Sequence, residues 1–166
     1  MRPVLFFAGV MLACALGGAQ LSAQQVQPGQ RSGAAPPRTV VITVGNPVGE
    51  KMNYSVSQIT ATAGERLRIR LINTGSMPKT VMAHNFVLLT RGANAKAFAE
   101  TAAKAKASDF IPPGLRSHIL AQTGLIGPNE SAEVIVTVPK AAGTYPYLCT
   151  FAGHYAAGMN GVLVVK

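Results

Sequence analysis

The chain has 166 residues, 15 Lys/Arg against six Asp/Glu for a net charge of +9, and 48% hydrophobic residues. That length suits one domain of ordinary size with a real core. No Lys/Arg block is interleaved with aromatics, which argues against nucleic-acid binding; the basic excess points instead to solubility, an anionic surface or an acidic partner.

At the N-terminus Arg2 is followed by the apolar run "PVLFFAGVMLACALGG" and then by "AQLSAQQ". A basic start, an apolar stretch and small residues around a cleavage point are the marks of a secretory signal. Residues 1–23 are expected to be that signal, cut near Ala23 with Ala19 as the alternative, and the protein is expected in the periplasm. The run is too short and too rich in Ala and Gly for a spanning helix. Cys14 could carry a lipid anchor, but Met11 and Leu12 fit poorly the small residues that precede such a cysteine. Removing the signal takes away Arg2 and Cys14, leaving a net +8 and Cys149 alone. A lone thiol in an oxidising compartment is a liability unless it is buried as a small hydrophobe or used.

Residues 24–37, "QQVQPGQRSGAAPP", are rich in Gln, Pro, Gly and Ser and read as a flexible leader. The domain is expected over 38–166. "RTVVITVG" (38–45) is a β-branched strand, and a short one is expected near 53–60. "ERLRIRLIN" (65–73) alternates Leu67, Ile69 and Leu71 with Arg66, Arg68 and Arg70, so one face is buried and the other wet. That arginine row is read first as a solvated face. Further strands are expected at 84–90, 117–123, 131–139, 143–150 and 160–166, mostly bounded by Gly, Pro or Asn. The Ala-rich segment 94–107 breaks the pattern. Asn94 can cap a helix there, Lys96, Glu100 and Lys104 form an i, i+4 ladder, and Phe98, Ala102 and Ala105 can face the core. Seven or eight short strands with one helix describe an all-β Greek-key sandwich.

The chemistry concentrates in "YLCTFAGHYAAGMNG" (147–161), where Cys149, His154 and Met159 have the spacing Cys-x4-His-x4-Met. One loop between two strands can curl around a single atom and supply three ligands. A fourth must come from His84 or His118. Two imidazoles, a thiolate and a weak axial thioether are the donors of a blue copper electron-transfer site. Structural zinc sites carry more cysteines. A catalytic Cys–His pair would need a residue to orient the imidazole, and no local signature supplies one.

The segments "AHNFVLL", "SDFIPPG…ILAQTGLIG" and "YPYLCTFAGHYAAGMNGVLVV" resemble a cupredoxin of the azurin type over most of 38–166. The resemblance implies an eight-stranded Greek-key sandwich with an inserted helix and periplasmic one-electron transfer. It also implies one type 1 copper cycling between Cu(I) and Cu(II). In that family the first His ligand opens an H-N-[FW]-V-L motif, which implies His84 here, beside Cys149, His154 and Met159. Two departures stand out. Azurins have three residues between the second His and the Met, whereas this chain has four, as in auracyanin-like relatives. Azurins also have a disulfide that this mature chain cannot form. Ala83 replaces the Gly whose carbonyl is a distant fifth ligand, and is the candidate for that weak contact. By adjacency and resemblance the backbone N–H groups of Asn85 and Phe151 are candidate donors to the thiolate, and the Asn85 side chain could tie the two ligand loops together. His118 lies outside the motif and is read as a surface or packing histidine.

The expected function is an exported one-electron carrier without a substrate of its own. Its partners would be redox proteins, a cytochrome or a copper or haem oxidoreductase, and it would work as a monomer. The alternative is a periplasmic copper carrier that binds and delivers metal without redox turnover. A copper enzyme would need further histidines, and the chain has three. The expected exit for electrons is His154 with Tyr155 and Ala156, inside a collar of uncharged loop residues.

Overall fold

In the computed structural model, residues 35–45 and 52–166 are described. The expected signal peptide, Cys14 and most of the leader lie outside them. Among the described residues, eight strands form two sheets. The first has the order β1–β3–β6, from β1 (Arg38–Val44), β3 (Arg66–Asn73) and β6 (Ser131–Thr137). The second has the order β2–β8–β7–β4–β5, from β2 (Gln58–Ala61), β4 (Val87–Leu89), β5 (Ile119–Gln122), β7 (Gly143–Leu148) and β8 (Asn160–Val165). β1–β3 and β2–β8 pair in parallel, and the other pairs are antiparallel.

Alternation dictates the packing. Ile42 and Val44 of β1 and Leu67, Ile69 and Leu71 of β3 are buried, and they meet Ile59, Tyr145, Tyr147, Leu163 and Val165 of the other sheet in one core. The arginines of β3 point the other way, as the period of two requires. Val87, Leu88 and Leu89 of β4 are all buried, because this strand is covered on both faces. Leu88 enters the main core, while Val87 and Leu89 join a second cluster with Leu148, Ile111, Phe98 and Ala102.

Phe98 and Ala102 come from α1 (Ala95–Ala102), which closes the outer side of the second sheet. Asn94 caps it, accepting from Ala97 N–H at 3.0 Å. The helix is shorter than the expected 94–107 and is followed by a 3-10 turn at Lys106–Ser108. Lys104 therefore lies beyond its end. Among the described residues the expected ladder has one rung, Lys96–Glu100 at 4.0 Å.

Two other expectations are corrected. The strand expected over 84–90 shrinks to 87–89, because Thr123 Oγ1 accepts the Phe86 N–H at 2.9 Å and interrupts the ladder. The strand expected over 117–123 starts only at Ile119. Pro113 opens a 3-10 turn that runs to His118, whose carbonyl accepts from Thr90 N–H at 2.8 Å.

Candidate metal centre

Cys149 is the first residue after β7, and Met159 is the last before β8. These strands form a hairpin with Leu148 opposite Asn160, so the two ends of the intervening loop are held side by side. Cys149 N–H donates to the Met159 carbonyl at 3.1 Å, and Met159 N–H donates to the His154 carbonyl at 2.9 Å. The loop thus folds back on itself, with its central imidazole directed inward. Gly153 (φ 83°) and Gly158 (φ 110°) allow this, since both take the left-handed side of backbone space that side chains resist. His84 enters from the neighbouring element. It forms an isolated bridge with Ile126 just ahead of β4, and Val87 of β4 lies opposite Leu148 of β7. All four candidate ligands meet at one end of the second sheet.

Their donor atoms converge. Cys149 Sγ lies 3.4 Å from His154 Nδ1, and His84 Nδ1 lies 3.2 Å from Met159 Sδ. The ligand atoms of His84, Cys149 and His154 fall within 4.8 Å of one another. Donors bound at about 2.0–2.3 Å to one ion stand roughly 3.5 Å apart, so a single small ion accounts for this spacing. His118 is exposed on its turn and does not belong to the cluster.

Burial sets the electrostatics. It pushes the Cys149 thiol up to about 12, against a downward pull from the backbone N–H groups of Asn85 and Phe151, which are directed at the sulfur. It pulls His84 and His154 down to about 4; the neighbouring His84 adds to the lowering of His154. The imidazoles are therefore neutral near pH 7, with nitrogen lone pairs available. The buried His84 Nε2 has no hydrogen-bond partner among the described residues. A soft thiolate, a thioether and two imidazoles suit copper in either oxidation state. These residues fit it.

Polar contacts tie the ligand segments together. The Asn85 side chain donates to Thr150 Oγ1 at 2.7 Å and accepts from Thr150 N–H at 2.9 Å. Ala83 is buried beside His84. The Phe151 ring lies 4.7 Å from His154 and 4.8 Å from Phe110, while Tyr155 and Ala156 follow on the outer side of the loop. Sequence reading missed Thr150, although its place directly after Cys149 was a signal. It also missed Tyr54, a buried phenol that donates to the Asn85 carbonyl and packs 5.6 Å from Tyr147. Burial raises the Tyr54 pKa well above the usual phenol range, and the thiolate form of Cys149 adds to it. No local pattern in "NYSVSQIT" marks that role.

Fold and donor set together define a small β-sandwich protein with one buried mononuclear copper site. The family described as copper binding proteins, plastocyanin/azurin family, matches residues 40–166, and the chain belongs to it. Auracyanin-A of Chloroflexus aurantiacus is 36% identical over 158 residues, spanning 95% of this chain and 89% of that protein. Azurin-2 of Alcaligenes xylosoxydans xylosoxydans is 36% identical over 118 residues, 69% of this chain and 89% of that one. The dithionite-reduced auracyanin of Roseiflexus castenholzii superposes with a TM-score of 0.66 at 34% identity, covering 77% of this chain and 96% of its own. A solved auracyanin A, described as a "blue" copper protein, gives 0.65 at 35% identity, covering 79% and 100%.

Proposed function

We propose that this chain is an exported carrier that takes one electron from one redox protein and gives it to another. The observation that supports this over metal delivery is the closure of the site. Cys149 is 0% exposed, His84 and Met159 1% each, and His154 3%. A protein that hands metal over needs ligands an acceptor can reach, and only an imidazole edge is in reach here.

Copper bound here would supply a Cu(I)/Cu(II) couple, which moves one electron without making or breaking a substrate bond. His84, Cys149 and His154 would hold it, with Met159 as a weak fourth donor and the Ala83 carbonyl as a further candidate. The N–H groups of Asn85 and Phe151 would stabilise the thiolate and weaken its donation, which favours the reduced state. The Asn85–Thr150 clasp and the Tyr54 contact keep both ligand segments in place as the charge changes.

Electrons would leave through His154. Ala152, Gly153, Ala156, Ala157 and Gly158 around it are exposed, and none is charged. Such a collar desolvates easily and has no salt bridge to break on release, which suits brief encounters over small interfaces. Adjoining the collar, a cavity of about 230 Å³ lies between Phe151, Gly153, Tyr155 and Ala156 of the loop on one side and Lys96, Ala99 and Glu100 of α1 with its C-cap Ala103 on the other. Exposed Val81, three residues ahead of His84, adds apolar surface on that ligand's segment.

Voltammetry and a chelator challenge on the copper-loaded protein test this reading. A reversible one-electron wave with copper retained is expected, whereas rapid loss of copper to the chelator without a reversible wave would favour delivery. The intact mass of the mature protein tests export: a start near residue 24 is expected, and a start at Cys14 with added acyl mass would mean a lipid anchor.

A further inference from the structure

We propose that the outer face of the β1–β3–β6 sheet is a docking surface for anionic phospholipid headgroups. This goes beyond electron transfer and uses none of the metal-site residues. Register assembles the face. Arg70 lies between Val41 of β1 and Glu133 of β6, Arg68 between Thr39 and Ile135, and Arg66 opposite Thr137. Three arginines therefore stand in a column along the middle strand, their Cα positions about 6.7 Å apart from one to the next.

Glu133 is shared, at 3.0 Å from Arg68 and 3.6 Å from Arg70, so the face keeps a net charge of two positive units. Arg70 is half exposed and its contact with Glu133 is long, so guanidinium hydrogens remain free for an anion. Guanidinium forks match phosphate oxygens in pairs, which an ammonium cannot do.

The apolar residues on this face narrow the choice of partner. Val41 and Ile135 are each 46% exposed and flank the arginine column on opposite sides. Outward positions of a wet sheet usually carry polar side chains. Branched aliphatics level with arginines suit the boundary where headgroups meet acyl chains, with the long arginine stems lying between them. A second copy of the same face would meet like charge and is disfavoured. The four metal-site residues lie at the end of the other sheet, so a membrane-bound molecule would keep its electron-exit pole free.

The test is flotation of copper-loaded residues 35–166 with vesicles. The solved auracyanin A chain is matched in full by 79% of this chain, so a domain of this extent stands without the N-terminal apolar run, which would partition by itself. Binding is expected to vesicles of phosphatidylcholine and phosphatidylglycerol in equal parts, weakening with salt, and not to phosphatidylcholine alone. Arg66→Gln/Arg68→Gln/Arg70→Gln should weaken it about tenfold or more. Lys104→Gln/Lys106→Gln/Arg116→Gln, which removes equal charge elsewhere, should change it less than twofold. Val41→Ser/Ile135→Ser should also weaken it, and thermal melts confirm that each variant is folded. No binding to anionic vesicles, or equal loss in both triple variants, would overturn the proposal. So would tighter binding to polyglutamate than to vesicles together with an inert Val41→Ser/Ile135→Ser, which would assign the face to an acidic protein.

Discussion

Asn85 clasps Thr150 through both ends of its amide, giving a hydrogen bond to the hydroxyl and accepting one from the backbone N–H. The two residues are neighbours of His84 and Cys149, so this one contact joins ligand segments 65 positions apart in the chain. Asn85→Ala would leave the buried Thr150 N–H without its partner and should cost roughly 2–4 kcal/mol of stability. Thr150→Val should cost less, because the backbone bond survives. Chemical denaturation of both single variants and the double variant measures the coupling. A double variant whose loss equals the sum of the two singles would show that the clasp is not a unit.

The Met159 position should be tunable without loss of the site. Met159 Sδ lies close to His84 Nδ1 at the cluster's edge, and the hairpin register holds its backbone. Met159→Leu should keep the blue colour and raise the reduction potential, since removing a donor disfavours Cu(II). Voltammetry showing an unchanged or lower potential would mean that Met159 is not bound.

Copper uptake should release one proton per site near pH 7. Burial keeps the Cys149 thiol protonated up to about 12, and keeps His84 and His154 neutral down to about 4. Only the thiol then has a proton to lose when metal binds. As pH falls through about 4 both rings become charged, so binding must displace their protons too and affinity should drop more steeply. Titration calorimetry in two buffers of different ionisation heat counts the protons. Release of two or three at pH 7 would contradict the burial argument.

Electron exit and lipid docking are assigned to different surfaces and should separate by mutation. Ala156→Asp places a charge in the collar beside His154 and should slow electron self-exchange severalfold while leaving spectrum and potential nearly unchanged. Arg68→Glu, on the far sheet, should do little to self-exchange. Line broadening in mixtures of oxidised and reduced protein reads both rates, and the reverse pattern would move the docking site to the arginine face.

Much of this was legible in the sequence where one element alone decides the outcome. "RLRIRLIN" is wet on one side and buried on the other, so its alternation gave the strand and its facing directly. The spacing from Cys149 to Met159 was legible because a single hairpin loop carries all three donors. "HNFVLLT" showed a strand but not its ends, because β4 is covered by a sheet on one side and α1 on the other and so has no alternation to mark where pairing stops. The helix end was overrun because Ala-rich sequence stays helix-compatible past Ala102, where the apolar contacts of Phe98 and Ala102 stop. Tyr54 and Thr150 were missed as supports because their partners lie 31 and 65 positions away, and local pattern carries no information at that range.

The central claim is one copper held through the Cys149 thiolate, and the visible absorption spectrum of the oxidised, copper-loaded protein beside Cys149→Ser tests it most directly. A strongly coupled thiolate should give an intense blue charge-transfer band at one copper per chain, and the serine variant should lose it. A colourless loaded wild type, or a serine variant that stays blue, would contradict the assignment.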